Sequence, residues 1–179
     1  YNKYKKFIPR KCETMYLGPK YSNKQILNEI KKNKLKYLKL NNPSKYIAKK
    51  LYEGKVVGCF QGKMEFGPRA LGNRSILVDA CDKSVNEWLN EKLKRTEFMP
   101  FAPITIDKYA NKMYENLNNK KIATKFMTIT SVCKKKLKKI SPAAVHIDGT
   151  ARPQIVSQND NKKIYNILNE YFKISKIPN

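Results

Sequence analysis

Four of the five arginines fall in three short stretches: FGPRALGNRS (66–75), LKRTEFMPFAP (93–103) and HIDGTARPQ (146–154). The chain has 38 basic residues and uses Lys almost everywhere else, so Arg69, Arg74, Arg95 and Arg152 stand out by type. A guanidinium is a planar fork that grips two oxygens of one phosphate or carboxylate, which an ammonium does not reproduce. Five of the seven glycines lie between Gly54 and Gly72. Glycine lets backbone N–H groups come close to an anion. The pattern predicts one shared anion site for a phosphate-bearing small molecule, built from Arg69, Arg74, Arg95 and Arg152 with Lys94. Taken singly, each arginine also fits an ion-pair role.

Two neighbours of these arginines are candidates in the same chemistry. Glu65 either pairs with them or touches a ligand hydroxyl, and the ion pair is the preferred reading. His146 and Asp148 flank Ile147, so in a strand they share a face. His146 then either contacts substrate beside Arg152 or anchors the loop, and the sequence leaves both open. Neither GxxxxGK[ST] nor GxGxxG occurs, and no Ser–His–Asp, Cys–His or paired-carboxylate set is legible. The chemistry expected is binding and electrostatic clamping of a charged substrate.

The elements that must position these residues mix strands and helices without strict alternation. Residues 1–21 read as a connector or an edge element. Ser22 caps an amphipathic helix carrying Ile26, Leu27, Ile30 and Leu35. Ser44 is the expected cap of a second helix that ends at Gly54. KVVGCF (55–60) and SILVDA (75–80) read as strands around the arginine loop, and 83–94 as a helix with Val85, Trp88, Leu89 and Leu93. FAPITI (101–106) is strand-like and 107–117 helical. FMTITSVC (126–133), AAVHID (143–148) and QIVS (154–157) read as strands, with GTARP as a loop between the last two. KKKLKK (134–139) is a solvated loop or helix face, and 159–174 is a helix with Ile164, Ile167, Leu168 and Tyr171 on one stripe. The mixture predicts an α/β domain (α+β being the variant), with a single twisted mixed sheet flanked by helices.

Composition narrows the classes. The 179 residues suit one domain, and no run approaches the length of a membrane span. YNKYKKFIPR lacks the apolar core of a signal peptide. Cys12, Cys59, Cys81 and Cys133 form no C-x-x-C pair, and with His146 as the lone histidine no metal site is expected. Reduced thiols and a cytoplasmic setting follow from the compartment argument. A net charge of +24 invites a nucleic-acid reading, but Lys and Asn rise together, as in NNKK and NDNKK, which marks a bias filling solvated positions.

FQGKMEFGPRALGNRSIL (60–77), NEKLKRTEFMPFAP (90–103) and SPAAVHIDGTARPQIV (141–156), in that order, resemble the C-terminal domain of the carbamoyltransferases, the family of nodulation-factor, cephamycin and tobramycin carbamoyltransferases. YLGPKYS (16–22) resembles the start of that domain. The resemblance implies a fold similar to the YrdC-like threonylcarbamoyl-adenylate synthases over 22–179. It implies binding of ATP and carbamoyl phosphate, with Mg2+ as a companion of ATP, and formation of carbamoyl-adenylate. The contacts fall on Arg69, Arg74, Lys94, Arg95 and Arg152, and on His146; Arg69, Arg74 and Arg152 are the catalytic set. In the family an N-terminal Kae1-like domain holds a metal and passes the carbamoyl group to an acceptor hydroxyl. That domain is the partner implied here and is absent from this stretch. Family members also continue past the KISKIPN at 173–179 into a further strand. The rival reading is a basic module that binds duplex RNA on the same fold.

Overall fold

The computed structural model describes residues 12–94 and 101–179. Helix α1 (Asn23–Lys32) begins where expected: the Ser22 side chain accepts from Gln25 N while Gln25 reaches back to Ser22 N, a full capping box. Helix α2 (Pro43–Tyr52) starts before Ser44. Asn42 is its cap, accepting from Lys45 N at 3.0 Å, because Pro43 at the first helical position already holds the required φ.

Strands β1 (Val57–Phe60) and β2 (Arg74–Leu77) pair antiparallel, placing Phe60 opposite Arg74. Helix α3 (Ser84–Lys92) follows, then β3 (Ile104–Ile106) and α4 (Asp107–Met113). Helix α5 (Lys121–Lys125), β4 (Ser131–Val132), α6 (Lys135–Ile140), a 3-10 turn (Pro142–Ala144), β5 (Thr150–Ala151), β6 (Gln154–Val156) and α7 (Lys162–Ser175) complete the order. Strand β6 runs parallel to β3, and β4 runs antiparallel to β5. The architecture is mixed α/β. Among the described residues the strands form three two-stranded ladders, not the single sheet expected. Between β2 and β3 lies a cleft in place of strand pairing.

Strand alternation at β6 links two cores. Val156 packs with Ala48 and Leu51 of α2 and Ile164, Ile167 and Tyr171 of α7, whereas Ile155 faces Met113, Tyr114, Cys133, Leu137 and Ala151. A third cluster joins Leu71, Phe126 and Met127 to Met15 and Tyr16. Residues 12–21 thus lie against the domain as an edge element: Lys20 bridges Lys63, and Gly18 N donates to Met64 O at 2.9 Å.

Two expected strands are replaced. In FMTITSVC only Ser131 and Val132 form a strand, with Cys133 in an isolated bridge to Tyr114, because Phe126 and Met127 are adjacent and both buried, which an alternating strand forbids. Met127 turns through φ 53° to bring this about. In AAVHID, Pro142 opens the 3-10 turn and Ala143 N bonds Ala80 O at 3.1 Å. The chain then reverses at 146–150, with His146 N on Thr150 O at 2.8 Å and Gly149 at φ 79°. The GTARP segment, expected as a loop, supplies β5.

Candidate anion-binding site

The MEFGPRALGNRS loop is organised by Glu65. Its Oε1 accepts from the backbone N–H of Leu71 at 2.8 Å, Asn73 at 2.7 Å and Arg74 at 3.1 Å. The ion pair expected of Glu65 is not what the loop uses: a buried carboxylate is neutralised here by N–H dipoles, with no salt bridge to it among the described residues. Burial raises the Glu65 carboxyl, but N–H donation from Asn73, Leu71 and Arg74 outweighs it and holds the group below the ordinary carboxylate range.

The loop is also tied to distant elements. Tyr16 Oη donates to Leu71 O at 2.8 Å, and Gln154 Nε2 donates to the same oxygen at 3.0 Å. Asn161, the cap of α7, donates to Asn73 Oδ1 at 2.9 Å and to Tyr16 Oη at 3.0 Å. Gly72 has φ 101° and lies so close to α7 that a Cβ would stand 2.3 Å from Ile164 Cγ1. Glycine is required there on both counts. Burial raises the Tyr16 phenol, and its bonds with Asn161 and Gln154 only partly reverse that.

Arg74 and Arg69 occupy opposite circumstances. The Arg74 guanidinium donates to Gln61 O at 2.7 Å and Asn73 O at 3.1 Å, with longer bonds to Gly62 O and Pro19 O. It also stacks 3.8 Å above the Phe60 ring centre. Its donors are committed to holding the loop. Arg69 is exposed, and among the described residues its side chain makes no hydrogen bond or ion pair. It lines the cleft, which has a volume of about 360 Å³.

That cleft is walled by residues 75–80 and 101–104 and by Val85, Ala143, Ile164 and Ile167, so parts of two of the three arginine-bearing stretches, 66–75 and 93–103, meet around it. Its polar side chains are few. Asp79, Asn86, Tyr171 and Asn179 line it, and Oδ1 of both asparagines is buried without a partner among the described residues. Burial first, and Asp79 next, push the Tyr171 phenol far up, and the same two causes push Cys81 to about 12.

The other expected site residues lie elsewhere. Arg152 is half-buried between β5 and β6, two residues before Gln154, and makes no side-chain bond among the described residues. Gln154 is the link that joins its strand to the Arg69 loop. His146 Nδ1 stands 3.1 Å from Thr150 Oγ1, and Asp148 Oδ1 accepts from Thr150 N and Oγ1. The two do not share a strand face, because 146–150 is a turn that leaves Ile147 fully exposed. Lys94 is exposed just beyond α3 with φ 50°. None of these three lines the Arg69 cleft. Arg95 lies outside the described residues. No three His, Cys, Asp or Glu side chains gather into a metal site among the described residues. The sequence reading missed Tyr16, Asn73, Gln154 and Asn161 as loop anchors, since nothing local marks a bond between residues so far apart in the chain.

Comparison with known proteins places this chain in a family. The chain is 38% identical over 170 residues to an uncharacterized protein of Methanocaldococcus jannaschii, covering 91% of this chain and 27% of that protein. It is 32% identical over 169 residues to nodulation protein NolO of Bradyrhizobium diazoefficiens, covering 92% of this chain and 30% of the relative. With nodulation protein NolNO of Sinorhizobium fredii the identity is 37% over 127 residues, 70% of this chain and 18% of the relative. The chain thus spans under a third of the length of these relatives. The family model described as carbamoyltransferase C-terminus matches residues 48–179, from within α2 through α7 and the whole of the Arg69 loop and its cleft, and the chain belongs to that family.

Proposed function

We propose that this chain is the part of a carbamoyltransferase that binds ATP and carbamoyl phosphate and forms carbamoyl-adenylate, for transfer to an acceptor hydroxyl by a Kae1-like domain of the same protein. The observation that carries this reading is the Arg69 guanidinium, unpartnered among the described residues and set at a cleft on a loop whose other charged groups are already satisfied. Both substrates are phosphates. Adenylation concentrates negative charge around the α-phosphate, and a fixed guanidinium stabilises that charge without reorganising. In this reading Arg69 and Arg152 grip phosphate, with Lys94, Arg95 and His146 as further contacts, and Arg74 fixes the loop. Mg2+ would arrive with ATP, held by the phosphates themselves.

The test is Arg69→Ala and Arg152→Ala in the full-length protein, followed by carbamoyl-phosphate-dependent release of pyrophosphate from ATP. Both substitutions are expected to abolish release while thermal melting stays cooperative. Native rates of release in both variants would overturn the reading.

A further inference from the structure

A single atom organises the loop that presents Arg69. Glu65 Oε1 collects three backbone N–H groups, from Leu71, Asn73 and Arg74, all within 3.1 Å. Convergent backbone N–H groups of this kind form the concavity that elsewhere holds an external phosphate oxygen. Here the concavity already has an anion, supplied by the loop's own Glu65. The glycine-rich backbone around 71–74 therefore has no N–H to spare at that point for a ligand, and the gripping of any external anion passes to side chains.

Phe66 to Ala70 leave from Glu65 and return to Leu71, whose N–H is bonded to that same carboxylate. Both ends of the excursion that carries Arg69 are thus pinned to one residue. Glu65 is only 8% exposed. Burying its charge without a cation is costly unless the N–H groups close around it, so closing the loop and neutralising the carboxylate are one event. We infer that Glu65 is the positioning residue of the site: its carboxylate sets where the Arg69 guanidinium stands, without touching the ligand. The inference rests on the phosphate-gripping role proposed for Arg69.

The test compares the full-length native protein with Glu65→Gln, Glu65→Ala, Arg69→Ala and the double variant E65Q/R69A. Carbamoyl phosphate binding is read by calorimetry, and thermal melting controls for folding. Glutamine keeps the size and one acceptor oxygen but loses the charge that makes such bonds strong. E65Q is expected to fold and to weaken binding about 10-fold, and E65A or R69A about 100-fold, the scale of loss when a gripping group is misplaced by roughly an ångström. Because Glu65 acts through Arg69, E65Q/R69A should bind no more weakly than R69A alone. Native affinity in E65Q alongside weakened R69A would overturn the positioning role and leave the phosphate reading standing. So would a double variant whose loss is the product of the two single losses. Native affinity in R69A would overturn both.

Discussion

At the scale of single residues, two arginines five positions apart in one motif do different work. Arg74 directs its guanidinium at the carbonyls of Gln61 and Asn73 and sits over the Phe60 ring. Arg69 has no such engagement among the described residues and faces the cleft. A lysine cannot span several carbonyls and stack at once. Arg74→Lys is therefore expected to lower stability by about 1–3 kcal/mol, the worth of hydrogen bonds to a charged group left unmade. Arg69→Lys is expected to leave the melting temperature unchanged and weaken carbamoyl phosphate binding. Thermal melting and calorimetry on the two variants check this crossed pattern, and an unchanged melting temperature for Arg74→Lys would refute it. Residue types alone marked both arginines as special, because guanidinium chemistry was the common requirement. They did not separate a grip on carbonyls from a grip on substrate, since both use the same fork.

Among the elements, local rules placed some helix starts and missed others. Ser22 caps α1 as expected, in a box with Gln25, whereas α2 starts from Asn42 and Asn161, unmarked in the sequence, caps α7 by accepting from Ile164 N. All seven α-helices among the described residues carry Lys in the last turn, where it meets the negative end of the helix dipole. Part of the lysine excess thereby has a place in the fold that needs no ligand. The contribution of each element differs by what it buries. Helix α1 has no buried residue, whereas α7 buries Ile164, Ile167 and Tyr171 against α2 and β6. Ser22→Ala should cost about 1 kcal/mol and be felt only in α1, as amide exchange would report. Ile167→Ala should cost about 2–5 kcal/mol and lower the melting of the whole domain. Equal, global effects of the two would contradict this division. The strands fared less well because apolar runs such as FMTITSVC and AAVHID fit a buried turn as readily as a strand.

For the whole molecule, the net charge of +24 and the cleft make opposite suggestions about partners. Few lysines find a carboxylate: the described residues hold four salt bridges, all with Lys. Diffuse solvated charge of this kind gives nucleic-acid affinity through counterion release alone. Duplex RNA is thus expected to bind weakly and to be lost between roughly 50 and 200 mM salt, while ATP binding at the cleft persists across that range. Filter binding and calorimetry in the same buffers decide it; salt-resistant RNA binding that ATP displaces would favour the nucleic-acid module. No helix among the described residues is long and apolar enough to cross a membrane. By itself the sequence determined most of the helices and the Ser22 cap, the mixed α/β character and the three ordered motifs of the carbamoyltransferase C-terminus, because capping, periodicity and motif spacing act within a few residues of chain. Only the tertiary structure decided that Glu65 is the loop's own anion, that Arg74 is spent on carbonyls, that His146 sits in a turn, and that Arg69 is left to face a cleft. Those outcomes depend on groups as far apart as Tyr16, Leu71 and Asn161, whose bonds exist only once the chain has closed upon itself.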